Sequence, residues 1–141
     1  MENKMKLIFL SKSENESFAR AAAGAFAAQM DPTVDEITDI KTAVSEAVTN
    51  CVVHAYKDTI GEIVMEISVK DGSFFVSVED KGVGIKDIEL AMQPFYTGGN
   101  SDERSGMGFT VMETFMDTLD VESSPDKGTK VSMSKKIRGR E

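Results

Sequence analysis

Two β-rich runs in the middle of the chain, residues 61–70 and 73–79, are separated only by Asp71-Gly72. An Asp-Gly pair tolerates the left-handed backbone that a tight hairpin requires, and apolar residues alternate with polar ones on both sides of it. The runs therefore read as the centre of a sheet. This hairpin constrains the fold more than any other feature, because every neighbouring segment must either extend the sheet or cover its apolar face.

Upstream, Met5 to Leu10 is a short apolar run that reads as a first strand, ended by the polar stretch Ser11 to Asn15. A helix follows, with Ser13 as N-cap and Glu16 three residues on; Phe18, Ala22, Ala25 and Phe26 recur at helical spacing up to Asp31-Pro32. A second helix begins near Thr33 to Asp35 and runs to about Tyr56, where Ile37, Ile40, Val44, Ala47, Val48, Cys51 and Ala55 form one apolar stripe. Downstream of the hairpin come a glycine loop, an amphipathic segment from Lys86 to Gln93, and a stretch from Pro94 to Ser105 that reads as a mobile loop or lid. Met107 to Met116 looks helical, and strands around Leu119–Ser123 and Thr129–Ile137 flank a turn at Pro125 to Gly128. The order predicts an α+β sandwich in a single domain over residues 1–141, with helices on one sheet face.

The chain carries a net charge of −8, which argues against direct contact with nucleic acid, since that needs a basic face to neutralise phosphates. Protein partners are expected, basic ones favoured. Cys51 is the single cysteine, so neither an intramolecular disulfide nor a cysteine zinc cluster can form. With no leader pattern and no apolar run of membrane-spanning length, the chain reads as soluble and cytoplasmic, with no membrane partner.

Three short pieces carry the chemistry. Glu46, Asn50 and His54, each four apart on the second helix, form a polar line beside the apolar stripe. A carboxylate there can orient a reacting hydroxyl or accept its proton, and an amide oxygen one turn on can ligate Mg²⁺. Taken alone, the line reads first as an ordinary polar helix edge, since polar residues four apart are common on helices; His54 reads as structural. The loop Asp80-Lys81-Gly82-Val83-Gly84 follows a strand, where backbone can approach a ligand and Asp80 can accept a hydrogen bond from an exocyclic amino group. A tight turn with a solvated aspartate would look the same. It is no Rossmann fingerprint, because the third glycine is missing, and no P-loop lysine motif occurs. Gly106-Met107-Gly108 stands where the flexible stretch becomes a helix, so free N–H groups and the helix dipole would face an anion, with Arg104 in reach of a terminal phosphate or of a partner. By itself it is also a flexible helix start.

Together these pieces resemble the N-box and the two glycine boxes of the GHKL superfamily, which includes gyrase, histidine kinases and MutL. Over nearly the whole chain, and especially at residues 13–20 and 104–109, the sequence is similar to the sporulation anti-sigma F factors of endospore-forming bacteria, which are serine protein kinases. The resemblance implies a Bergerat-type two-layer α/β sandwich with a mixed, mainly antiparallel sheet, ATP/ADP and Mg²⁺ as ligands, and a homodimer. It also implies two partners, a sigma factor that is sequestered and an anti-anti-sigma protein that is phosphorylated on serine.

By motif, Glu46 would be the catalytic base, Asn50 the Mg²⁺ ligand and Asp80 the adenine reader. Gly82 and Gly84 would be loop glycines, and Gly106 and Gly108 would hold phosphates. The implied nucleotide set also takes in Thr97, Arg104, Ser105 and Met107, and Arg20 and Arg104 fall in segments used for partner contact. Lys130 departs from the pattern, since many relatives carry a second threonine there; whether Thr129 substitutes for that contact is open. A stress-response anti-sigma kinase, a non-catalytic nucleotide-dependent adaptor and a histidine kinase catalytic domain are the other classes to weigh.

Overall fold

The computed structural model describes residues 2–84 and 108–139. Strands β1 (Glu2–Leu10), β2 (Glu62–Lys70), β3 (Ser73–Asp80), β4 (Thr118–Ser124) and β5 (Gly128–Lys136) form one five-stranded sheet in the order β1-β2-β3-β5-β4. Every pairing between them is antiparallel. The central hairpin turns at Asp71 and Gly72, with φ of 52° and 79°, the left-handed pair whose twist matches that of the flanking strands.

Alternation then sorts the side chains. Ile63, Met65, Ile67 and Val69 of β2, Phe74, Val76 and Val78 of β3, and Val131 and Met133 of β5 are all buried on one face. Burying each such side chain contributes about 1.5–3 kcal/mol. Helices α1 (Ser13–Ala27), α2 (Val34–Asn50) and α3 (Gly108–Phe115) supply the other layer, with Ile40, Ala43, Val44, Ala47 and Val48 of α2 at its centre. The α+β sandwich expected from the order of elements is the fold observed. None of the helices described is long and apolar enough to cross a membrane.

α2 starts with a full capping box: Glu36 N donates to Thr33 Oγ1 at 3.1 Å, and Thr33 N donates to Glu36 Oε1 at 2.9 Å. The same carboxylate accepts Arg138 N at 2.7 Å and Gly139 N at 3.1 Å, so it also fastens the end of the described chain.

Three local expectations need correction. Ser13 does not cap α1; Lys12 holds the N-cap position without a side-chain bond, and Ser13 Oγ meets Glu14 Oε1 at 3.3 Å. The chain is instead fixed one residue earlier, where Ser11 N donates to Gly61 O at 2.9 Å and Gly61 N donates to Ser11 Oγ at 3.0 Å.

Phe18 and Ala25 point outward, Phe18 being 69% exposed, while Ala19, Ala23, Gly24 and Ala27 form the buried face. Close crossing of α1 and α2 selects the small residues: a Cβ on Gly24 would meet Lys41 Cδ at 2.9 Å, and Ser45 Oγ donates to the Glu16 carboxylate across the same contact. Finally, the second helix is not uniform to Tyr56. It is α-helical to Asn50 and continues as a π turn over Cys51–Ala55, closed by Tyr56 N donating to Cys51 O at 3.0 Å. The expected segment 86–93 and the lid from Pro94 to Ser105 lie outside the described residues.

Candidate nucleotide site

The last turn of α2 and the π turn after it are the hub of the site. Glu46 and Asn50 lie one turn apart on one side of α2, and α3 begins directly against them. A Cβ on Gly108 would stand 3.2 Å from Asn50 Oδ1, 3.4 Å from Asn50 Nδ2 and 3.5 Å from Glu46 Oε2. Glycine at this position therefore admits the amide and the carboxylate to a helix N-terminus, whose unpaired N–H groups favour anions.

Asn50 Oδ1 is buried and has no hydrogen-bond partner among the described residues. Leaving such an acceptor dry costs about 1–3 kcal/mol, so it is an atom prepared for something not belonging to these residues. A hard cation fits it. Mg²⁺ takes oxygen donors and characteristically uses one or two protein ligands, with phosphates and waters filling the rest of its shell.

On the other side of the hub stands Asp80, the last residue of β3, which is 5% exposed. Its Oδ1 accepts Gly82 N at 2.9 Å and Thr129 N at 3.2 Å, and its Oδ2 faces the Cys51 thiol at 3.4 Å. Burial raises the pKa of Asp80 above the ordinary carboxylate value, and the three donors hold back part of that rise. Burial likewise pushes the Cys51 thiol well up, with the Asp80 charge adding to it.

Between hub and sheet runs the glycine loop. Lys81 N donates to Tyr56 Oη at 2.6 Å while that hydroxyl donates to Glu62 O at 2.8 Å, so one side chain ties the loop to the start of β2. Val83 N donates to Ala55 O at 3.1 Å, and Val83 O accepts Asp126 N at 2.6 Å. A Cβ on Gly82 would overlap the Ala55 carbonyl, and one on Gly84, whose φ is +77°, would overlap the Ser124 carbonyl. Both glycines thus answer first to protein backbone: they let the loop wedge between the π turn and the β4–β5 turn.

Thr129 pairs in register with Asp80 and lies on the helix-side face of the sheet, where its Oγ1 meets Ser123 Oγ at 2.7 Å. Lys130 pairs with Glu79 and Glu122 on the opposite face. Of the two, Thr129 is the residue on the side of the site. Arg20 is exposed on α1, and His54 is half-buried in the π turn. Thr97, Arg104, Ser105, Gly106 and Met107 lie outside the described residues.

Sequence reasoning passed over Cys51 and Tyr56 as functional neighbours. Cys51 sits on the apolar stripe, and its bond to Asp80 spans 29 residues of sequence, so no local pattern announces it. Tyr56 carries a weak signal only, as a tyrosine placed where a helix ends, five residues before Gly61.

A family profile described as a histidine kinase-like ATPase domain matches residues 9–135. The anti-sigma F factor of Caldanaerobacter subterraneus subsp. tengcongensis is 60% identical over 135 residues, which cover 96% of this chain and 94% of that protein.

The chain belongs to the anti-sigma F factor family.

Solved structures agree on the fold. The RsbU and RsbW domains of a Mycobacterium tuberculosis protein align with a TM-score of 0.70 at 20% identity, covering 96% of this chain and 32% of that one. The catalytic domain of the histidine kinase ThkA aligns with a TM-score of 0.59 at 16% identity, covering 94% of this chain and 96% of the other. The anti-sigma F factor fold is thus a histidine kinase-like ATPase sandwich, as the GHKL motifs imply, and such a domain binds nucleotide.

Proposed function

We propose that this chain is a cytoplasmic anti-sigma factor and ATP-dependent serine protein kinase of sporulation, acting as a single domain over residues 1–141 and as a homodimer. It sequesters a sigma factor of the sigma F type and phosphorylates a serine of an anti-anti-sigma partner, with no direct contact with nucleic acid or membrane. Identity of 60% over nearly the full length supports the partner class, because the relative's name specifies the sigma factor it opposes.

The observation that carries the chemistry is the buried Asn50 Oδ1, without a hydrogen-bond partner among the described residues, beside Glu46 and Gly108. Asn50 would hold Mg²⁺, which when bound neutralises phosphate charge. Asp80, fixed by Gly82 and Thr129, would accept the exocyclic amino group of adenine and so favour ATP over GTP. Thr129 flanks that contact. Glu46 would orient the substrate serine hydroxyl and take its proton as the serine oxygen bonds to the γ-phosphorus and the bond to the ADP oxygen breaks in line. Gly106, Met107 and Gly108 with Arg104 and Ser105 are the proposed phosphate cradle, Thr97 belongs to the same nucleotide set, and Arg20 and Arg104 are the proposed partner contacts.

Glu46 also separates a kinase from a nucleotide-dependent adaptor, since a binder needs no base. With Mg²⁺, labelled ATP and an anti-anti-sigma protein, the wild type should yield acid-stable phosphoserine. Glu46→Gln should cut transfer by about 10²-fold or more while ATP binding persists. Undiminished transfer by Glu46→Gln would refute the assignment, and an acid-labile product would point to histidine phosphorylation instead.

A further inference from the structure

The two oxygens of Asp80 are not equivalent. Oδ1 is taken by two backbone donors, Gly82 N at 2.9 Å and Thr129 N at 3.2 Å, whereas among the described residues Oδ2 meets the Cys51 thiol alone, at 3.4 Å. Oδ2 is therefore the oxygen with acceptor capacity left for a ligand. Cys51 follows Asn50 directly, keeps the helical bond from its N–H to Ala47 O, and is 3% exposed. The helical ladder of α2 thus sets a thiol donor against the end of β3, at the point where the π turn begins.

We propose that Cys51 is a positioning residue for base recognition: its S–H holds Oδ2 of Asp80 as the oxygen that reads an exocyclic amino group. The inference rests on the adenine-nucleotide reading of this site. A thiol is a weak donor, so it orients the carboxylate while leaving a lone pair of Oδ2 strongly basic toward the ligand. A serine hydroxyl in its place would donate strongly and compete with the amino group, and an alanine methyl would leave Oδ2 without its orienting donor. Cys51 thereby acts on which base is accepted rather than on how tightly phosphates are held.

Because the chain has one cysteine, its S–H stretching band in the infrared reports this thiol alone. In the nucleotide-free protein the band should move to higher frequency in Asp80→Asn, where the anionic acceptor is gone; an unmoved band would overturn the contact. Binding supplies the second reading. Affinities for ATP and for purine riboside triphosphate, which lacks the amino group, are measured for wild type, Cys51→Ala and Cys51→Ser. The preference for ATP should fall about threefold or more in both variants, while the analogue binds within about twofold of wild type. Parallel weakening of both nucleotides would mark a merely structural role and overturn the proposal, as would an unchanged preference. A wild type that binds neither nucleotide would overturn the nucleotide reading and this proposal with it, a result distinct from a wild type that prefers ATP regardless of Cys51.

Discussion

Gly108 opens α3 so close to Asn50 that an added Cβ would stand 3.2 Å from its amide oxygen. Two effects of Gly108→Ala oppose each other. Alanine favours a helix over glycine by at most about 1 kcal/mol, less at this first helical position than in an interior, while the new methyl presses on Asn50 and on Glu46 Oε2 at 3.5 Å. Thermal stability should therefore change by less than about 1 kcal/mol, whereas affinity for Mg²⁺-ATP should fall about tenfold or more. A melt and a titration on the same sample separate the two.

Gly84 should behave in the opposite way. Its φ of +77° and the Ser124 carbonyl facing it leave no room for a side chain, and neither partner is a flexible tip that can swing aside. Gly84→Ala should cost about 3 kcal/mol or more in urea unfolding, combining backbone strain with overpacking. Loss of nucleotide binding would then follow from loss of the loop.

Much of this architecture is legible in the sequence. Period-two alternation around Asp71-Gly72 gives the hairpin and its buried face, and the stripe through Ile40, Val44, Ala47 and Val48 gives α2, because both patterns are local and repeated. What is not legible depends on partners remote in sequence. Phe18 looks like core by spacing, yet the small residues at the α1–α2 crossing decide which face is buried. The π turn leaves no mark in hydrophobic period, and the reason for Gly82 lies in Ala55, far earlier in the chain. The site motifs are visible in Glu46, Asn50, Asp80 and Gly108, but the thiol contact to Asp80 and the Tyr56 bond to Lys81 emerge only once β3 meets the end of α2.

Glu36 links pH to stability. Burial alone would raise its pKa, but backbone N–H donors from Thr33, Arg138 and Gly139, with the Thr33 side chain, together hold it below its ordinary 4.5. A carboxylate depressed on folding contributes stability above its unfolded pKa and loses it as pH falls through the folded value. Glu36→Gln should cost about 1 kcal/mol near neutral pH, and the gap from wild type should close below about pH 4.5. Chemical denaturation at several pH values checks this.

Asp80 has the reverse sign. Burial raises its pKa above 3.8, so its ionised form penalises the folded state as pH rises through and beyond that value. Asp80→Asn keeps an oxygen for Gly82 N and Thr129 N and removes the charge. Its melting temperature at neutral pH should equal or exceed that of wild type, and any gain should vanish below pH 3.8. Function is expected to move the other way, a trade typical of groups kept for a ligand.

Tyr56→Phe removes the hydroxyl that accepts Lys81 N at 2.6 Å and donates to Glu62 O at 2.8 Å. Two backbone groups lose a partner, so unfolding free energy should drop by about 1–3 kcal/mol. Amide exchange at Lys81 should accelerate before that of the core strands, since the loop loses its tie while the sheet keeps its own ladder.

The central claim is that α2, the loop after β3 and the start of α3 build one site for a magnesium-bound adenine nucleotide. Calorimetric titration of wild type, Asn50→Ala and Asp80→Asn with ATP, in the presence and absence of Mg²⁺, tests it most directly. Wild type should show one saturable site per chain. Asn50→Ala should lose the enhancement that Mg²⁺ gives, and Asp80→Asn should lose ATP while remaining folded. Absence of ATP binding by the folded wild type, or two variants that bind ATP and respond to Mg²⁺ as wild type does, would contradict the account.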